Sequence, residues 1–383
     1  MQIYKLSQLY NRHVQEQASE AVEEHLLSDN SFLKIKEAYP DSLYTPNFFI
    51  RIALALLTAV ALLFSAGIFG LMFWSSDDSI ISSLVFLAFL CYGALELFVQ
   101  KKWFYNAGVD NTLMVSIMVF IAAAFLVDNL SFDIRLLSAV MILLCGWLCI
   151  RFTDAFMAVA CYLFFFIFLF TNIIEFGSLA RLMAPLLMMV CSIAVYIVFQ
   201  RLGAVGSFNS YKSCFRAITV FALLTLYLSG NYFVVNEISI QLFSSPLITS
   251  PIMSEIFWFF TVFIPVFYVA YGVIRKDKLL IRTGLLLIAA AVFTVRYYYH
   301  IFPLEITMFI AGMLMITISY ILIRYLHTPR YGFVFRIKNA NAILVEQAES
   351  LITADRFGTT SPVETGFEFG GGSGGGAGAS GKF

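Results

Sequence analysis

The side chains of this chain that could do chemistry gather where apolar runs end. In "VRYYYHIFPLE", residues 295–305, an arginine, a histidine and a glutamate stand at the seam between two such runs. Arg296 and His300 are four residues apart and share a helix face. Glu305 follows across a tight turn through Pro303. A guanidinium, an imidazole and a carboxylate so arranged can form an outward-facing polar pocket, the mouth of an anion site, or an ion pair that staples a hairpin. The intervening Tyr297, Tyr298 and Tyr299 are of the type that collects where bilayer meets water, and need no function of their own. Glu96, in "YGALELFVQKK", is the second candidate. It is either an interfacial residue with Lys101 or Lys102 nearby or a carboxylate lining a path, because a charge inside a membrane persists only with a partner or a pathway.

Enzyme signatures fail quickly. The four histidines (His13, His25, His300, His327) include no pair with zinc-ligand spacing on an apolar run. No GxSxG nucleophile elbow is present, and Asp77 and Asp78 in "SSDDS" read as a helix cap in a solvated turn. The six cysteines lie in or beside apolar runs without a CxxC pair, as small buried residues do. The terminal "SGKF" lacks the strand, helix and Lys-Ser/Thr pair of a phosphate loop. The sequence therefore points to no catalytic residue, no metal site and no cofactor.

These residues are embedded in a chain that water cannot dissolve. Of its 383 residues 60% are hydrophobic and 13% charged, with a mean hydropathy of +0.85. A soluble domain needs about a quarter of its residues charged. Forty-one phenylalanines exceed what one soluble core can hide. The composition is that of an integral membrane protein in contact with the lipid bilayer. A formal net charge of zero offers no field for nucleic acid.

A span needs about 20 mostly apolar residues. Candidates fall at about 49–74, 79–99, 112–128, 134–151, 154–172, 179–200, 214–234, 254–274, 282–300 and 304–326, in an all-α polytopic bundle of about ten helices. The first run follows more than forty polar residues and carries no cleavable signal, so it is expected to be a permanent span. Charges test the count independently, since Lys and Arg are retained on the cytoplasmic side. Ten spans with the N-terminus inside leave only Arg135, Arg181 and Arg296 of the 24 basic residues outside. The expected topology is N-in and C-in, in a cell inner membrane.

Four regions follow: a cytoplasmic amphipathic segment at 1–47, the bundle at 48–326, a cytoplasmic segment at 327–358 and a Gly-rich tail at 359–383. Leu6, Tyr10, Val14, Ala18, Ala21, Val22 and Leu26 form one face of an N-terminal helix. That helix can dock on its own chain, lie on headgroups or bind a protein. Its acidic face argues against anionic lipid, and docking within the protein is the plainer expectation. "NAILVEQAESLITADRF" reads as a second amphipathic helix, and both terminal helices offer a surface to a cytoplasmic protein partner. Glycine at the density of "FEFGGGSGGGAGASGKF" cannot offset its ordering entropy, so the tail is expected to be disordered.

The stretch "LLIAAAVFTVRYYYHIFPLEITMFIAGMLMITISYILIRYL" resembles the closing helix pair of an uncharacterised bacterial family of multi-spanning membrane proteins, in which an Arg-Tyr-aromatic step often stands at this place. The tail is similar to the Gly-rich endings of assorted bacterial membrane-associated proteins. These resemblances imply a bacterial polytopic protein and no activity. With sparse charge inside the apolar runs, the leading expectation is a non-catalytic protein with an assembly or partner-binding role. A small-molecule transporter or permease-like protein is the alternative. Its moving parts are the sixth and eighth runs, which Pro185 and Pro265 kink. An enzyme acting on lipid comes third.

Overall fold

The computed structural model describes residues 3–4, 6–23, 27–41, 43–73, 76–102, 104–127, 133–177, 180–243 and 251–299, with single positions between 306 and 324. Among these residues the chain forms twelve α-helices and no β-strand. They are α1 (Leu6–Glu23), α2 (Asp29–Ala38), α3 (Phe48–Phe73), α4 (Asp77–Lys102), α5 (Val109–Val127) and α6 (Ile134–Phe152), followed by α7 (Ala155–Ile174), α8 (Ala180–Ala204), α9 (Lys212–Gly230), α10 (Tyr232–Phe243), α11 (Pro251–Arg275) and α12 (Lys278–Tyr299). Nine of them, α3 to α9 with α11 and α12, are long and apolar enough to cross a bilayer. The protein is an all-α helical bundle of the membrane-spanning kind. The expected tenth run, the second amphipathic helix and the Gly-rich tail lie outside the described residues, apart from the single positions noted.

Consecutive spans pair as antiparallel hairpins: α4 with α5, α6 with α7, α8 with α9, and α11 with α12. Short connections force this, because a turn of a few residues can only return the chain beside itself. The tightest are the two-residue links between α11 and α12 and between α6 and α7; the second shows how such a link is made. Thr153 takes a left-handed conformation (φ 52°, ψ 37°) and donates its N–H to Cys149. Asp154 then caps α7, its carboxylate accepting from the Met157 N–H at 2.8 Å. Burial pushes that carboxyl above its ordinary range, while the Met157 N–H pulls in the opposite direction.

α9 is the hub of the second half, touching α7, α8, α10, α11 and α12. One apolar cluster joins α4, α5 and α6 through Cys91, Leu95, Leu113, Met114 and Leu148. A second joins α9, α11 and α12 through Leu223, Tyr227, Ile264, Tyr268 and Leu287. α3 packs on α4 and α5 and touches the first cluster through Leu62, but none of its residues is buried.

The N-terminal helix is docked on its own chain. Tyr4 is buried, donates its hydroxyl to the Phe104 carbonyl at 2.8 Å and meets Tyr105 edge-on at 5.3 Å. The Ile3 N–H donates to the Arg151 carbonyl at 3.1 Å. Arg12 lies 5.1 Å over the Tyr105 ring, reaches Thr45 at 2.9 Å and pairs with Glu16 at 2.9 Å. Burial outweighs the lowering effect of Arg12 and pushes the Tyr105 phenol up to about 12. The loop that receives Tyr4 is shaped by Asp110, which is 3% exposed and accepts from the N–H groups of Asn106 (2.7 Å) and Ala107 (2.9 Å).

Beside that carboxylate Gly108 holds φ at +94°, and a Cβ added there would sit 2.2 Å from the Arg51 carbonyl oxygen of α3. Glycine is required twice over, by the left-handed backbone and by the approach of α3. Gly108→Ala is expected to destabilise the protein by about 2 kcal/mol or more. The readout is a lowered midpoint of thermal unfolding in detergent, and an unchanged midpoint would refute this reading of the α3 contact.

Candidate functional site

α9 stops at Gly230 and α10 starts at Tyr232, so a single residue, Asn231, serves as the end of one helix and the cap of the next. Its extended backbone (φ −78°, ψ 125°) interrupts the helical ladder. A break of this kind frees backbone donors and acceptors that an apolar surrounding cannot satisfy. Side chains from four helices meet that need. The Asn231 side-chain oxygen accepts from the Val234 N–H at 3.3 Å, and its amide donates to the hydroxyls of Tyr227 (2.8 Å) and Thr294 (3.0 Å). The Tyr232 N–H donates to Thr261 Oγ1 at 2.9 Å, and that hydroxyl donates to the Phe257 carbonyl at 2.7 Å. Farther along α10, the Asn236 amide donates to the Tyr298 hydroxyl at 3.2 Å. Asn231, Thr261 and Thr294 are each 2% exposed or less.

Beside the break lies a cleft of about 410 Å³ between α7, α8, α9 and α10. Phe166 and Phe170 form one wall, Pro185 and Met188 the second, and Val235 and Ile238 of α10 the third. Thr225, Ser229 and Ser239 contribute its hydroxyls, and no charged side chain is among the described lining residues. The Ser229 hydroxyl is committed to the Thr225 carbonyl at 2.8 Å. Volume and lining are those of a small-molecule site: a concave, mostly apolar space with a few polar groups. It lies in the half of the bundle away from the N-terminal helix. Thr225 stands roughly 20 Å along α9 from Lys212, at 1.5 Å per residue.

The residues expected from sequence are placed as follows. Glu96 lies on α4 and forms an ion pair with Arg151 of α6. It also accepts from Gln100 at 3.1 Å. Arg296 is in the last turn of α12, with its Nη1 buried and without a hydrogen-bond partner. His300 and Glu305 lie outside the described residues. Of the three tyrosines, Tyr297 and Tyr299 are 48% and 59% exposed, as belt residues are. Tyr298 instead packs inward, 4.9 Å from the Tyr232 ring and 5.8 Å from Trp258. Pro185 lines the cleft, whereas Pro265 is fully buried in α11. Among the described residues no three His, Cys, Asp or Glu side chains come close enough to share a metal ion.

The break at Asn231 falls inside the expected seventh run, 214–234, which the structure corrects to a span ending at Gly230 and a separate helix of twelve residues. The signal was present in "SGN": glycine ends a helix readily and asparagine caps the next. Averaged hydropathy passes over it because its neighbours are apolar. Removing the hub should be costly. Asn231→Ala leaves the Tyr227 and Thr294 hydroxyls and the Val234 N–H buried without that partner, a loss of roughly 2–4 kcal/mol. Thr294→Val should lose about half as much. Thermal unfolding in detergent measures both, and near-wild-type midpoints would show that the network carries no stability.

Compared with known proteins, the chain matches no family model, no curated protein and no solved structure.

Proposed function

We propose that this multi-pass membrane protein is non-catalytic and takes an apolar small molecule into the cleft beside the α9–α10 break, in the manner of a transporter or permease-like protein. The observation that carries the reading is the coincidence of an interrupted helix with a concave apolar space. Discontinuous helices in membrane bundles mark places where a ligand, rather than a neighbouring helix, is accommodated. The absence of charge from the described lining argues against an ionic solute. α10 is short, packs on α9 and α11, sets Tyr232, Phe233 and Asn236 against the end of α12, and supplies the cleft's third wall. It is the natural element to move when a ligand enters from the bilayer.

The assembly role retains one supporting observation. α3 exposes one face along its length, with Leu57, Leu63, Phe64 and Leu71 each more than two-thirds exposed, so a transmembrane helix of another protein has room to pack there. The N-terminal helix supports that role less, because Tyr4, Ile3 and Arg12 tie it to its own chain. We place the protein in a bacterial inner membrane with both termini cytoplasmic. The retention of basic residues on one side supports the placement, and the Arg-Tyr-aromatic step supports the family resemblance.

Two experiments test this. Leu228→Trp and Ile238→Trp place indoles in the cleft from positions that are 47% and 39% exposed. Each is expected to reduce labelling of the purified protein by a photoreactive long-chain hydrocarbon at least fivefold while leaving thermal stability within about 1 kcal/mol of wild type. Undiminished labelling refutes the cleft as the site. Reporter fusions at both termini should give cytoplasmic signals, and a periplasmic signal from either overturns the topology.

A further inference from the structure

We propose that the polar recess at the α11–α12 link holds the zwitterionic head of a phosphoethanolamine lipid, one acyl chain of which lies along the exposed aromatic face of α11. The proposal is independent of the cleft beside Asn231 and concerns other residues, toward the C-terminal end of α11.

The recess has a volume of about 290 Å³ and is lined by Gln200 of α8, Tyr271 and Arg275 of α11, Asp277 of the link and Leu280 of α12. α11 and α12 meet closely here: a Cβ added to Gly272 would sit 2.9 Å from the Ile281 nitrogen. The link therefore turns back within two residues and sets a cation and an anion at one mouth. Among the described residues no ion pair joins the two. The Arg275 Nε donates to the Tyr271 hydroxyl at 3.1 Å, and its guanidinium lies 5.5 Å over that ring. Asp277 Oδ1 accepts from the Leu279 N–H at 2.8 Å, as a cap of α12. The Nη groups of the arginine and the second carboxylate oxygen take no part in these bonds.

An apolar track leads to the same place. Phe259, Phe263 and Phe267 are 57%, 47% and 47% exposed. Their rings stack in succession, 4.9 and 5.8 Å between centroids, and Phe267 stacks on Tyr271 at 5.6 Å. Spacing by four keeps them on one face. Phe259 to Tyr271 covers about 18 Å of helix axis, against about 15 Å for the hydrocarbon of one leaflet. A chain lying on this face runs from the recess to the middle of the bilayer.

Charge complementarity selects the head. A phosphodiester suits the forked guanidinium. A primary ammonium brings three donors for Asp277 and the Gln200 side-chain oxygen. A quaternary ammonium brings none, and an anionic head without an ammonium sets its phosphate beside an uncompensated Asp277.

The test uses the purified full chain in detergent with phosphatidylethanolamine, phosphatidylcholine and phosphatidylglycerol of matched chains, each photoreactive on an acyl chain. The wild type should bind the first at least tenfold more tightly than either of the others, with crosslinks on α11 between Phe259 and Phe267. Asp277→Asn retains a helix cap and should erase the preference over phosphatidylglycerol. Arg275→Gln should weaken binding of phosphatidylethanolamine about tenfold. Arg275 is exposed, so that variant carries the test should Asp277→Asn lower the unfolding midpoint. Glycerophosphoethanolamine, the head without chains, should compete at least 100-fold less well than the lipid, and equal competition identifies a soluble ligand and overturns the lipid site. Preference for either other lipid, equal binding of all three, undiminished binding in Arg275→Gln or crosslinks away from the aromatic face also overturn it.

Discussion

The structure depends on one constraint, that a backbone interrupted among apolar helices must find partners for its freed N–H and C=O groups. At Asn231 the constraint is met by two helices besides the one that breaks. The asparagine is held by Tyr227 of its own helix and Thr294 of α12, and Thr261 of α11 receives the next N–H. Because no single helix can satisfy the break, α9, α11 and α12 are locked in one register there. α9 consequently becomes the element around which the second half is arranged. The cleft exists because α10, released from α9's line, leaves space against α7 and α8.

The same economy governs the opposite end of the bundle. The loops near the N-terminal helix turn sharply, and carboxylates rather than water satisfy their backbone: Asp110 for the loop before α5, Asp154 for the start of α7. Tyr4 closes that surface by taking the Phe104 carbonyl. Charges that reach between helices stay near helix ends. Glu96 meets Arg151 at one end, and Arg135 meets Asp133 and Glu175 at the other, where Arg135 lowers the Asp133 carboxyl. Exposed pairs of the second kind contribute little to stability. Their value lies in fixing where α6 and α7 begin and end.

How much of this was legible in the sequence follows from the range of each interaction. Hydropathy is a local property, and the nine described spans stand close to where apolar runs placed them, including the division at "IRFTD" that only two residues separate. Caps are nearly as local, and Asp154 could be read as a boundary. Pairings between spans are a different matter. Glu96 and Arg151 are 55 residues apart, and nothing in either neighbourhood names the other, so Lys101 and Lys102 were the visible neighbours. Asn231 was hidden by averaging, and its partner Thr294 lies 63 residues away. The cleft is less legible still. Its walls come from four helices, and each lining residue is by itself an ordinary core side chain.

The distribution of polarity also separates two ideas about this chain that composition alone leaves side by side. Among the described residues of the nine spans, charge stands toward helix ends, whereas the interior of the second half is rich in hydroxyls and amides: Tyr162, Ser192, Thr225, Tyr227, Asn231, Thr261 and Thr294. A bundle built only for helix packing gains most from small residues and satisfied polar groups. Asn231, Thr261 and Thr294 fit that description, since each has its partners. Thr225 and Ser229, the hydroxyls that line the cleft, have likewise committed their protons to carbonyls of α9. Selectivity in such a cleft would come from shape and chain length, with charge acting only to exclude.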